Sequence, residues 1–93
     1  MLRSIFRTDQ FKRDFKRLLR KHFDPNKMTA AVKALMAQDK ELLKREYPDH
    51  ALKANSKGYR EIHLEGDWLV IYRVESDILE LVLVRTGTHD ELF

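Results

Sequence analysis

The spacing of apolar residues changes character once along the chain. Up to Met36 they recur at three and four positions, and from Tyr59 onward they gather in β-rich runs, Trp68 to Tyr72 and Leu81 to Val84 being continuous. Leu2 to Arg7 reads as a short opening strand with Ile5 and Phe6 as its apolar content. Thr8 or Asp9 then offers a cap for a helix running to about His22, in which Phe11, Phe15, Leu18, Leu19 and His22 form one stripe opposite an almost wholly basic face. Asp24-Pro25 restarts the chain with a cap and a first-position proline, and Met28, Ala31, Val32, Leu35 and Met36 mark a second amphipathic helix. Leu42 and Leu43 fit either a continuation of that helix or a separate turn. Loop signatures follow at Pro48-Asp49-His50 and Ala54 to Gly58, with a brief edge strand expected between them at Ala51-Leu52-Lys53. Three β-rich runs close the chain: Tyr59 to Leu64, Asp67 to Val74 and Ile78 to Thr86, the last two joined through Glu75-Ser76-Asp77. In the last run Leu79, Leu81 and Leu83 share one face and Val82 and Val84 the other, as in a strand covered on both sides. The order predicts an α+β fold: an N-terminal strand and helical hairpin packed on a twisted, mainly antiparallel four- to five-stranded sheet.

The turn between the first two β-rich runs decides which side chains meet. A three-residue loop Leu64-Glu65-Gly66, with glycine in a left-handed position, sets His63 opposite Asp67. A two-residue loop Glu65-Gly66 sets His63 opposite Trp68 and sends His63 and Asp67 to different faces. We take the three-residue loop as the expectation.

Ninety-three residues, 43% hydrophobic and 35% charged, suit one small domain spanning 1–93. The absence of cysteine removes disulfides and thiolate zinc sites. No apolar run approaches the roughly 20 residues of a bilayer span, so a cytoplasmic protein without membrane contact is expected. Net charge is only +3, yet Lys12, Arg13, Lys16, Arg17, Arg20 and Lys21 crowd the first helix as a candidate phosphate-facing surface. Taken singly, each fits the solvated face of a helix.

His63, Asp67, Arg85 and His89 bring acid, base and cation chemistry to strand ends. The run Lys57-Gly58-Tyr59-Arg60, then His63, then Asp67-Trp68 leading to Ile71-Tyr72, and finally Arg85-Thr86-Gly87-Thr88-His89 closing on Phe93, resembles the YafQ-type toxins of the RelE/ParE superfamily. The likeness covers nearly the whole length, including the Asp49-His50 loop. It departs at Gly66, where the family often has proline, so a looser turn before Asp67 is expected.

The resemblance implies a RelE-like fold. It also implies a ribosome-dependent endoribonuclease that cuts mRNA in the decoding site and is held inactive by a cognate, DinJ-like antitoxin. Its partners would be that antitoxin, the ribosome and mRNA, and no cofactor or metal is implied. Metal-independent RNA cleavage needs a base for the ribose 2′-hydroxyl, a cation at the phosphate and an acid for the departing 5′-oxygen. The matched positions are His50, His63, Asp67, Arg85 and His89. His89 is assigned as acid and Arg85 as phosphate clamp. The base stays open among His50, His63 and Asp67. Phe93 would stack on a base, and Lys57 and Arg60 would add substrate contacts. A zinc site of His50, His63 and His89 lacks a close-spaced ligand pair. Each residue also has a plainer reading: His50 as a turn residue, His63 and Asp67 as a cross-strand pair, His89 as a helix-end group, Phe93 folded on the core and Trp68 inside it. Two other functions compete: a non-catalytic ParE-like toxin that binds a protein target such as gyrase, and a general RNA-binding module.

Overall fold

The computed structural model describes residues 1–52 and 58–93. Lys57 and most of the Ala54 to Gly58 loop therefore lie outside the described residues. Strand β1 (Ser4–Arg7) leads into helix α1 (Asp9–Arg20) through Thr8, whose hydroxyl accepts from Phe11 N–H at 3.0 Å and donates to the carbonyl of Val84 at 2.7 Å. One residue thus caps a helix and pins it to a strand 76 positions away. Helix α2 (Pro25–Ala37) begins where the Asp24-Pro25 pair predicts, with the Asp24 carboxylate accepting from Asn26 N–H. It stops at Gln38, a left-handed residue, so Leu42 and Leu43 belong to a separate helix, α3 (Lys40–Glu46), capped by Asp39.

Strands β2 (Asp49–Ala51), β3 (Arg60–Glu65), β4 (Trp68–Glu75) and β5 (Glu80–Thr88) follow, and helix α4 (His89–Leu92) closes the chain. The edge strand begins two residues earlier than expected. The connection between β4 and β5 is a single 3-10 turn, Ser76–Ile78, ending on a left-handed Leu79. Sheet order is β1-β5-β4-β3-β2, with β1 parallel to β5 and the remaining pairs antiparallel.

Helices α1 to α3 cover one face. Phe11 and Leu18 of α1, Met28, Ala31 and Leu35 of α2 and Leu43 of α3 enclose Ile62, Trp68, Val70, Tyr72, Leu81 and Leu83 of the sheet. Each large side chain fully withdrawn from water there contributes about 1.5–3 kcal/mol. Trp68 is core, as its plainer reading held, and its indole N–H donates to the Thr86 hydroxyl at 2.9 Å. No helix among the described residues is long and apolar enough to cross a membrane.

The β3–β4 hairpin corrects the expected turn. Glu65 pairs with Trp68, so the loop is the two residues Gly66 and Asp67, and a bulge at Leu64 leaves His63 opposite Leu69. Asp67 therefore sits in the turn and not across from His63. Neither alternative drawn from the sequence included a bulge, which spends the extra residue inside the ladder and keeps Leu64 against the core. Gly66 does take the left-handed conformation, φ +52°, which proline cannot reach. Gly66→Ala introduces a Cβ into open space but into that strained φ. It is expected to cost about 1 kcal/mol and to lower the thermal midpoint by roughly 4–8 °C, read by circular dichroism.

Candidate active site on the open face of the sheet

The face turned away from the helices carries the chemistry. Directly opposed residues share a face, and His50, Glu61, Ile71 and Arg85 lie in one row across β2, β3, β4 and β5. The next row holds His63, Leu69 and Gly87. Leu69 and Ile71 are buried but stand outside the helix-packed core, so they floor this face between two histidines on one side and Arg85 on the other.

Arg85 reaches the face because of a second bulge. The register runs Ile71 to Arg85 and then Tyr72 to Leu83, leaving Val84 as the extra residue. Simple alternation would carry Arg85 into the core behind Leu81 and Leu83, and the bulge turns it over. Its guanidinium is then gripped by Asp14 of α1. Arg85 Nε and Nη2 donate to the two carboxylate oxygens at 3.1 Å each, and Thr86 N–H donates to the same carboxylate at 3.2 Å. Gln10 and Arg17 complete the set around Asp14, which is 0% exposed. Burial pushes the Asp14 carboxyl up, but Arg85, Gln10 and Thr86 together outweigh that and hold it below the usual carboxylate range. The same contact raises Arg85 above its ordinary value. The clamp is planar and bidentate, and among the described residues it leaves the outward nitrogen edge of a one-third-exposed Arg85 side chain unclaimed.

His89 opens α4, whose start is a capping box between Thr88 and Glu91. Glu91 also takes Arg17 Nε at 3.1 Å and Lys21 at 3.5 Å, which fastens the one-turn helix to α1. Gly87 makes room for this: a Cβ there would meet the Glu91 carboxylate at 3.1 Å and Leu92 at 3.4 Å. Asp67 takes part from the hairpin turn, its Oδ1 accepting from His89 N–H at 3.2 Å, so a turn expected to be looser is tied down by its own aspartate. Phe93 is 60% exposed and packs on the His89 ring at 5.1 Å, rather than folding back on the core.

On the other side, the His50 and His63 rings meet edge to face at 5.5 Å. A cavity of about 380 Å³ opens beside them, lined by Pro48, His50, His63, Leu64 and Gly66 among others. Strands about 4.8 Å apart put roughly 10 Å between β3 and β5. That width takes a phosphodiester with a hydrogen bond of about 2.8 Å at each end.

Of the residues singled out in the sequence, His50, His63 and Arg85 share this face, with Asp67, His89 and Phe93 at its end. Arg60 does not join them. It alternates to the helix side, where Arg60 Nε and the Tyr72 hydroxyl both donate to Asp49 Oδ1, at 3.1 and 2.9 Å. Burial, with Asp49 alongside, pushes that Tyr72 hydroxyl up to about 12. These three line a separate cavity of about 550 Å³ with Leu35, Lys40 and Lys44.

Two residues were missed. Asp14 falls in the apolar stripe between Phe11 and Leu18, and a lone carboxylate at that spacing was the available signal. Glu61 stands two positions before His63, hence on its face. Its Oε1 is 3.8 Å from His63 Nε2, and its buried Oε2 is the one buried side-chain polar atom without a hydrogen-bond partner among the described residues. No group of three or more His, Asp or Glu side chains among the described residues is gathered to hold a metal ion.

Residues 3–93 match the family described as the bacterial toxin of type II toxin-antitoxin system, YafQ. The mRNA interferase toxin YafQ of Escherichia coli strain K12 is 36% identical over 91 residues, covering 98% of this chain and 96% of the relative. A metal-bound toxin from Helicobacter pylori aligns over the full length of both chains with a TM-score of 0.90 and 36% identity. The toxin chain of the E. coli DinJ–YafQ complex aligns over 98% of each chain with a TM-score of 0.84 and 37% identity.

Proposed function

Since this chain belongs to the YafQ family of type II toxin–antitoxin toxins, we propose that it is an endoribonuclease that cleaves mRNA in the decoding site of the ribosome and is neutralised by a DinJ-like antitoxin. The observation that carries the reading is the pair of opposed groups on one open face: two imidazoles on β2 and β3, and an anchored guanidinium with a third imidazole beyond β5.

In this reading His63 takes the proton from the ribose 2′-hydroxyl, and the 2′-oxygen attacks the adjacent phosphorus. His50 packs against it and limits its rotation. Arg85, immobilised by Asp14, offers its free edge to the phosphate oxygens as charge builds there. His89 donates a proton to the departing 5′-oxygen, and Asp67 fixes His89 through the backbone. The bond from phosphorus to the 5′-oxygen breaks as the bond to the 2′-oxygen forms, leaving a 2′,3′-cyclic phosphate and a 5′-hydroxyl. Phe93 stacks on a base presented at the mouth of the site. The chain's own acid, base and cation account for each of these transfers.

The test is to add the chain to ribosomes paused on a defined message and map the new ends. Cuts confined to ribosome-bound message, at the codon in the decoding site and with 5′-hydroxyl ends, are expected. Intact messages, or equal cutting of free RNA, would overturn the proposal.

A further inference from the structure

The helix side of the sheet holds a second concavity that none of the transfers above uses. The cavity of about 550 Å³ behind β2 is walled by Leu35 of α2, Leu43 of α3 and Val74 of β4, and Lys40 and Lys44 line it too. Those two lysines stand one turn apart on α3, so they share one side of that helix. Among the described residues the ion pair of α3 joins Arg45 to Glu46, and neither lysine has a carboxylate of its own. Deeper in, Arg60 and the Tyr72 hydroxyl converge on one carboxylate oxygen of Asp49. Three cations thus meet one carboxylate among the described lining residues, which leaves a surplus of two positive charges. Tyr72 adds no charge, because its hydroxyl stays protonated at neutral pH. Gln38 supplies a contact of another kind. It ends α2 in the left-handed region, φ +53°, where glycine is the usual residue, and it brings to the cavity an amide that both donates and accepts.

We infer that this cavity is a binding site for a nucleoside monophosphate. A phosphate monoester dianion matches the surplus charge, with Lys40, Lys44 and the Arg60 guanidinium as donors to its oxygens. The flat apolar face of a base suits the wall of Leu35, Leu43 and Val74, and the Gln38 amide can pair with a base edge. The volume lies within the range of small-ligand pockets and exceeds what inorganic phosphate fills. The inference stands apart from the nuclease reading, since His50, His63 and Arg85 lie on the opposite side of the sheet.

The test titrates adenosine 5′-monophosphate, adenosine and inorganic phosphate into the full chain at about pH 7.5, where the monoester is doubly charged. Calorimetry is expected to show one saturable site for the nucleotide, and NMR to show shifts at the amides of Gln38, Lys44 and Tyr72 but not at His63 or Arg85. Adenosine and inorganic phosphate are each expected to bind at least about tenfold more weakly, one lacking the charge and the other the apolar body. The double variant Lys40→Gln, Lys44→Gln alters two exposed side chains and spares the core, and it is expected to weaken nucleotide binding about 10- to 100-fold. Gln38→Gly removes the amide while easing the left-handed backbone, so it should fold at least as stably and bind about three- to tenfold more weakly. Affinity unchanged in the lysine variant would overturn the site, as would shifts confined to the basic face of α1 or no saturation by about 10 mM nucleotide. Inorganic phosphate binding as tightly as the nucleotide would overturn the ligand class.

Discussion

Asp14→Ala is expected to unfold at a midpoint roughly 10–20 °C below the wild type, because the carboxylate it removes is fully buried and is held by five donors: two on Arg85 and one each on Gln10, Arg17 and Thr86. Losing one partner of such a set leaves a buried amide N–H and a guanidinium unmatched, at about 3 kcal/mol. The sign of its pH dependence follows from the direction of the Asp14 shift. A carboxyl held below its ordinary value of 3.8 contributes stability that is present above that value and is lost as pH falls through its depressed folded value. Glu91 is shifted the same way from 4.5, chiefly by the Thr88 backbone N–H. The difference in midpoint between wild type and Asp14→Asn should therefore stay constant down to about pH 5 and shrink below about pH 4, measured by thermal denaturation across that range. A difference that persists unchanged to pH 3 would contradict the ionised, clamped state of Asp14.

His89→Ala is expected to reduce single-turnover cleavage about 10²- to 10⁴-fold, the range a positioned general acid supplies. Its thermal midpoint should stay within about 2 °C of wild type, since the imidazole is exposed and surface substitutions away from special features change stability little. The backbone N–H that meets Asp67 and the His89 carbonyl that accepts from Phe93 N–H both remain in the variant, so α4 keeps its place. Cleavage within threefold of the wild type would remove His89 from the acid role. Asp67→Ala isolates the other half of the arrangement, because it deletes the tether and leaves the imidazole.

Local chemistry was the legible part of the sequence. The caps at Thr8 and Asp24, the proline that opens α2 and the change of apolar period each depend on residues within one turn of each other, and each appears where expected. What stayed hidden depends on pairing between distant segments. A strand of four residues does not say whether its neighbour runs parallel to it, and β1 proved parallel to β5. The bulges at Leu64 and Val84 leave no mark in an alternating pattern, yet one put Asp67 in the turn and the other turned Arg85 out of the core. Asp14 was obscured by its basic neighbours on α1, and Glu61 by a strand whose alternation drew notice only for its histidine.

The parallel closure of β1 on β5 constrains how the molecule comes into being. Ser4 meets Glu80 and Thr8 meets Val84, each across 76 positions, so the opening strand waits for its partner strand while everything between is synthesised. Arg85 and His89 belong to or follow that neighbour. A growing polypeptide can therefore pair β2, β3 and β4 before β5 has been made, but Arg85 and His89 come to stand across from the histidines of β2 and β3 only once β5 has paired with β4.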